Sequence, residues 1–270
     1  MSQDRLPLIV EPAALQAALG RGGILIVDLA QAHYPSRIPG SVHLDYTQLV
    51  SPRPPATGLL PDAAQLGALF SSLGLTADTH VVAYDDEGGA KACRLLWTLD
   101  VVGHTRYSLL NGGLTAWLNE GHATGDRRTE IAATPFTVRM NRDAIADKDY
   151  ILAHLHDPAT VLVDCRGHSE YAGLDVLAQR GGHIPGAVNI EWTRAIDEQR
   201  NRRLKSPDEL RALYEGAGVT PDKEVITYCQ THRRSAFSYV VLKSLGYGRV
   251  RGYPGSWSEW GNDPDTLIEQ

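Results

Sequence analysis

An internal duplication limits what this chain can fold into more than any other feature of its sequence. Val161-Leu-Val-Asp164 repeats Ile26-Val-Asp28, and His183-Ile-Pro-Gly-Ala-Val-Asn-Ile190 repeats Arg37-Ile-Pro-Gly-Ser-Val-His-Leu44. Val219-Thr-Pro-Asp222 matches Leu75-Thr-Ala-Asp78, and Val225-Ile-Thr-Tyr-Cys229 matches Val81-Val-Ala-Tyr-Asp85. Gly255-Ser-Trp-Ser-Glu-Trp260 matches Gly112-Gly-Leu-Thr-Ala-Trp117. The register between the copies is 136 residues at the first match, then 146, 144, 144 and 143. The jump of ten reflects a longer loop between Asp164 and His183 in the second copy. A period this long, occurring twice, marks two duplicated domains, since solenoid repeats are far shorter.

Each copy reads as short apolar strands alternating with helices. In the first, Pro12 opens a helix that Gly20 ends, and Ile24–Asp28 is a buried strand. A turn at Ile38-Pro-Gly feeds a second strand, residues 51–61 form a proline-rich loop, and Asp62 caps a helix running to about Leu73. Val81–Tyr84 is a third strand followed by a helix to about Val102, and Tyr107–Leu110 is a fourth, followed by a short helix around Trp117. Alternation of this kind predicts an α/β fold: two domains, each a mostly parallel sheet with helices on both faces. The expected division is 1–124 for the first domain, 125–138 for a polar linker and 139–270 for the second, with Thr137–Met140 leading into it.

Composition bounds the functional classes. With 43% hydrophobic and 21% charged residues, 270 residues supply two ordinary cores. A net charge of −6 speaks against a general nucleic-acid binder. Three cysteines, 93, 165 and 229, are far apart, with neither metal spacing nor a disulfide framework. Together with the lack of a signal pattern or a membrane-length apolar run, they lead to the expectation of a cytoplasmic protein.

Residues shared by the copies are explained by folding; residues that differ at a matched position are candidates for function. Cys229 stands where the first copy has Asp85. It ends a buried strand, and Gln230, Thr231, His232, Arg233 and Arg234 lead from it into a helix beginning near Ser235. A cysteine reacts as its thiolate, which needs a lowered pKa. Backbone N–H groups at a helix start and nearby cations supply that, and the same groups bind an anion. The first copy has Asp85-Asp86-Glu87 there, which repels anions and contains no soft nucleophile, so it is expected to be catalytically silent. Cys93, on a helical pattern, and Cys165, which matches Leu29, read as core. Arg166 reads equally as a structural ion-pair partner or a pocket cation. Trp192 and Trp257, opposite Tyr46 and Leu114, read as core aromatics or pocket walls.

These residues carry a family resemblance. The paired repeats, with Asp164-Cys-Arg-Gly-His-Ser-Glu-Tyr171, Gly182-His-Ile-Pro-Gly-Ala187, Cys229 and Gly255-Ser-Trp-Ser-Glu-Trp-Gly261, resemble the tandem-domain rhodaneses, and in particular bacterial thiosulfate sulfurtransferases with a Cys-Gln-Thr-His type loop. The resemblance covers nearly the whole chain. It implies an inactive first domain and an active second one, with a six-residue loop, Cys229 to Arg234, whose backbone amides surround the sulfur. It implies Cys229 as catalytic residue and Gln230, Thr231, His232, Arg233 and Arg234 as substrate-binding residues. It implies transfer of sulfane sulfur from thiosulfate to cyanide or a thiol through a Cys229 persulfide, with no metal and no cofactor. The partners expected are a small anionic sulfur donor and a cyanide or thiol acceptor, which includes a protein sulfur acceptor or a thioredoxin-like reductant. No nucleic acid or membrane is expected, and the protein should be a monomer.

The loop departs from the Cys-Arg-Lys-Gly-Val-Thr and Cys-Gly-Ser/Thr-Gly-Val-Thr patterns of animal-type thiosulfate and mercaptopyruvate enzymes. Glu170 stands where those often carry an arginine before the residue that is here Tyr171. A 3-mercaptopyruvate donor and a regulatory sulfur-carrier role are therefore the alternatives. Cysteine phosphatases and arsenate reductases need arginine six residues after the cysteine, a position occupied here by Ser235.

Overall fold

The computed structural model describes residues 6–31, 36–126 and 131–270. Of the expected linker, 127–130 lie outside the described residues, and 131–138 contain neither helix nor strand. Backbone packing divides the chain into two compact units. The first holds Met1–Leu49, Pro61–Met140 and Ile196–Leu204; the second holds Val50–Leu60, Asn141–Ala195 and Lys205–Gln270. Each unit thus includes a short segment taken from the other half of the sequence.

The first unit contains β1 (Ile9–Val10), α1 (Pro12–Ala18), β2 (Ile24–Asp28), β3 (Val42–His43), α2 (Ala63–Ser72), β4 (His80–Tyr84), α3 (Ala90–Val101), β5 (Tyr107–Leu110) and α4 (Gly113–Asn119). Its strands pair in the order β1-β5-β4-β2-β3, every pair parallel. Ile26, Val82, Tyr84 and Leu110 pack on one face against Leu15 of α1 and Trp117 of α4. Leu25, Val27, Val81 and Ala83 alternate to the opposite face and are equally buried. There α3 lies against β4 and β5. A parallel sheet covered on both sides needs such continuous apolar runs, and each fully buried Leu, Ile or Val adds about 1.5–3 kcal/mol. Asp62 caps α2 as expected, accepting the Gln65 N–H at 2.8 Å, while the Gln65 side chain accepts the Asp62 N–H at 3.0 Å.

The second unit contains α5 (Lys148–His154), β6 (Thr160–Asp164), α6 (His168–Tyr171) and β7 (Val188–Asn189). The chain then passes through an antiparallel hairpin, β8 (Ile196–Asp197) and β9 (Arg203–Leu204), which belongs to the first unit. It continues in the second unit with α7 (Pro207–Glu215), β10 (Glu224–Tyr228), α8 (Arg234–Ser244), β11 (Val250–Gly252) and α9 (Ser256–Trp260). The sheet order is β11-β10-β6-β7, again parallel throughout. At the place of β1 this unit has a single parallel bridge, Ile145 to Gly252. The Ile-Pro-Gly turn is held alike in both copies: the Tyr228 hydroxyl accepts the Ile184 N–H at 3.1 Å, and the Tyr84 hydroxyl accepts the Ile38 N–H at 3.4 Å. Conservation of this turn between the copies is therefore a matter of folding. Val50–Leu60 is closed on itself by Ser51 N–H to Leu59 carbonyl and Arg53 N–H to Ala56 carbonyl, both 2.8 Å.

Candidate active site

β10 ends at Tyr228, so Cys229 leaves the sheet at the carboxyl edge of a parallel strand, where loops of α/β folds bind ligands. The start of the loop is pinned to α9. The Cys229 N–H donates to Ser256 Oγ at 3.3 Å, the Cys229 carbonyl accepts the Trp257 N–H at 2.9 Å, and the Gln230 carbonyl accepts the Ser258 N–H at 3.0 Å.

Cys229 is 1% exposed. Burial alone pushes a thiol up, yet this one is held below its ordinary value. The charge of Arg234, the hydroxyl and N–H of Ser235 and the N–H of Thr231 favour the thiolate strongly enough to outweigh burial. The other two cysteines have too little such help, and both are pushed well up: Cys93 by burial and the Asp85 charge, Cys165 by burial that outweighs a hydrogen bond from Ser238 and the charge of Arg234. As expected, both are core residues.

The loop side chains do not all face the sulfur. Arg234 and Thr231 do reach it, through charge and backbone respectively. Gln230 turns away and donates from Nε2 to the Leu177 carbonyl at 3.0 Å. Arg233 is half-buried at the start of α8. His232 is fully buried, with Nδ1 2.7 Å from Ser235 Oγ, so its ring lies against the serine that serves the sulfur. Its φ of 57° is left-handed, at the place where Gly88 of the first copy has φ 93°. A non-glycine residue there costs on the order of 1–3 kcal/mol, and the Ser235 bond offsets part of it.

Two site residues are hard to find from sequence. Glu170 receives the Arg234 fork, NH1 to Oε2 at 2.6 Å and NH2 to Oε1 at 2.8 Å, which fixes the guanidinium beside the sulfur. Ser235 marks the helix start, and its hydroxyl is one signal that the sequence offers. Arg166 is structural: it is buried, paired with Asp164 at 2.6 Å, donating to the Gly182 carbonyl at 2.7 Å and lying 4.5 Å over Trp257. Trp257 is core, fully buried beside Tyr228; Trp192 meets Phe237 edge-on at 5.3 Å.

The matched loop of the first copy shows what the cradle accommodates. Asp85 accepts the N–H groups of Glu87 at 2.9 Å, Gly89 at 2.7 Å, Lys91 at 2.8 Å and Ala92 at 3.0 Å. Burial still leaves this carboxyl raised above its ordinary value. The amides that could cradle an anion are thus taken by the protein's own side chain.

Comparison with known proteins finds the same two-copy organisation. The family model for the rhodanese-like domain matches twice, over residues 11–120 and 147–263. The chain is 46% identical to a thiosulfate sulfurtransferase of Azotobacter vinelandii over 98% of its length and 97% of that protein. It is 45% identical to a thiosulfate sulfurtransferase of Pseudomonas aeruginosa over the same shares. Among solved structures, the 3-mercaptopyruvate sulfotransferase of Escherichia coli superposes with a TM-score of 0.82 at 28% identity, covering 93% of this chain and 99% of that one. Two copies of one α/β domain, one with a buried activated cysteine and one with its cradle filled by aspartate, and relatives matched along nearly their full length, lead to one assignment: the chain belongs to the rhodanese family.

Proposed function

We propose that the chain is a thiosulfate sulfurtransferase acting through a persulfide on Cys229. The observation that carries this is a deeply buried thiol held below its ordinary pKa by Arg234, Ser235 and Thr231. The Cys229 thiolate attacks the outer sulfur of thiosulfate; a new S–S bond forms, the old one breaks, and sulfite leaves with its electron pair. Cyanide or a thiolate then attacks the outer sulfur of the persulfide, and Cys229 leaves as thiolate, ready for the next cycle. The negative charge stays in the cradle throughout, so the same N–H groups and Arg234 stabilise thiolate and persulfide in turn. Of the substrate-binding set, Thr231 and Arg234 act at the sulfur, His232 acts through Ser235, and Gln230 and Arg233 form the rim.

The reading places the protein in the cytosol as a monomer, with a protein thiol among its acceptors. The loop that is longer in the second copy supports that last point: Leu174, Val176 and Leu177 are exposed on it, and Gln230 is bonded to it. Replacing these three by serine should slow transfer to a protein thiol and leave transfer to cyanide unchanged; equal rates to both would remove the protein acceptor.

Mass spectrometry tests the central step. After treatment with thiosulfate, the peptide containing Cys229 should gain one sulfur atom, and Cys229→Ser should gain none. Loading by 3-mercaptopyruvate but not by thiosulfate would reassign the donor; loading by neither would leave a binding module.

A further inference from the structure

The catalytic loop is gripped from outside by a segment of the first sequence copy. Within the second unit, the self-closed arm Val50–Leu60 meets the loop at Gly58. A Cβ placed on Gly58 would lie 2.3 Å from the Thr231 carbonyl oxygen and 2.7 Å from that of Pro254. Real side chains do not approach so closely, and these neighbours are backbone atoms that cannot swing aside. Gly58 does not adopt a left-handed φ, so glycine is required there for closeness and not for conformation. Next to it, the Thr57 N–H donates to Ser258 Oγ at 3.2 Å, and the Ser258 N–H holds the Gln230 carbonyl at 3.0 Å. The arm therefore bears on both residues that follow Cys229.

We propose that Gly58 is a positioning residue for the sulfur cradle: its bare α-carbon lets the arm close on the Thr231 carbonyl and fixes the residue whose N–H serves the Cys229 sulfur. This rests on Cys229 being the nucleophile. A methyl group at 58 must push the Thr231 carbonyl outward by about an ångström, and displacements of that size can cost up to about a hundredfold in rate. That carbonyl lies in the rigid Thr231–His232 peptide plane, and with the preceding Gln230 carbonyl held by the Ser258 N–H the displacement has to be taken up at Thr231 itself. The sulfur then loses a donor while keeping its burial, and its thiolate becomes harder to form.

The test is the pH profile of Cys229 alkylation by iodoacetamide in the full-length protein, followed on the Cys229 peptide, beside thermal melts. In Gly58→Ala the rate at neutral pH should fall about tenfold or more, and it should recover at alkaline pH. An unchanged profile in a folded variant, whatever its melting point, would overturn the proposal. Should Gly58→Ala fail to fold, Ser258→Ala loosens the same arm without adding an atom, and its profile should move in the same direction by a smaller amount; no movement would count equally against the proposal. Alkylation needs no sulfur donor. A protein that alkylates as expected but takes no sulfur from thiosulfate would refute the functional reading and leave the role of Gly58 standing.

Discussion

Beside the charge of Arg234, a single hydroxyl hydrogen favours the thiolate of Cys229. Ser235 has one to give. When it goes to the thiolate, the His232 ring 2.7 Å away must present N–H at Nδ1 to the serine oxygen. Ser235→Ala should therefore move the alkylation profile of Cys229 toward higher pH, and it should lower the melting point too, because the buried His232 Nδ1 loses this partner; a fixed profile would show that Arg234 and the backbone suffice. Glu170 offers a second test, with a definite sign. Burial raises its carboxyl, but the Arg234 fork and charge and the Gly167 N–H outweigh that and hold it below its ordinary 4.5. A lowered native value means that the pair stabilises the fold above pH 4.5 and loses that contribution as pH falls through the native value. Thermal melts of wild type and Glu170→Gln should thus differ near neutrality and converge in acid. A gap that persists at low pH would mean that packing and not charge is at stake.

Among the elements, the two strand–loop–helix units, β4 to α3 and β10 to α8, are one design used for different ends. Asp85 satisfies four backbone N–H groups in the first. Asp85→Ala would leave buried donors unpaired, at a cost of roughly 2–4 kcal/mol, which denaturant melts can measure; a loss below about 0.5 kcal/mol would mean that water replaces the carboxylate. Asp85→Cys in a Cys229→Ser background should still transfer no sulfur. Ala90 occupies the place of Arg234, and Lys91 is tied to Glu87 at 2.6 Å. Measurable transfer would give the loop charges less weight than the cradle. These elements were open to sequence reasoning because their signals are short: the Val225–Tyr228 run and the Asp62 cap each lie within a few residues, and the Cys229/Asp85 contrast is read by aligning two short repeated stretches. The Arg234–Glu170 fork spans 64 residues and the Gly58–Thr231 approach is longer still, so no short-range pattern announces them. Arg166 stayed ambiguous because, beside the nearby Asp164, its contacts are the Gly182 carbonyl and Trp257 of α9, both farther along the chain. Thr137–Met140 falls in the first unit, tied there by the Arg139 N–H to the Val102 carbonyl at 3.0 Å.

For the whole molecule, the exchange of Val50–Leu60 and Ile196–Leu204 makes each unit depend on both halves of the sequence. Residues 1–138 expressed alone lack the hairpin that hydrogen-bonds Asn111 and pairs with Glu11, and residues 139–270 alone lack the arm at Thr231. Neither fragment should transfer sulfur, and mixing the two should restore part of the activity; full activity from 139–270 alone would show the arm to be dispensable. The same exchange bears on synthesis. A ribosome delivers the chain from its N-terminus at about 5–20 residues per second, and domains ordinarily fold as they emerge. Here the first unit cannot close until Leu204 is out of the exit tunnel, long after its sheet has been made, and by then half of the second unit has already emerged ahead of it. The two halves are born as one folding event, and a chaperone that shields nascent apolar surface should find its client in the stretch between the end of α4 and the arrival of β9.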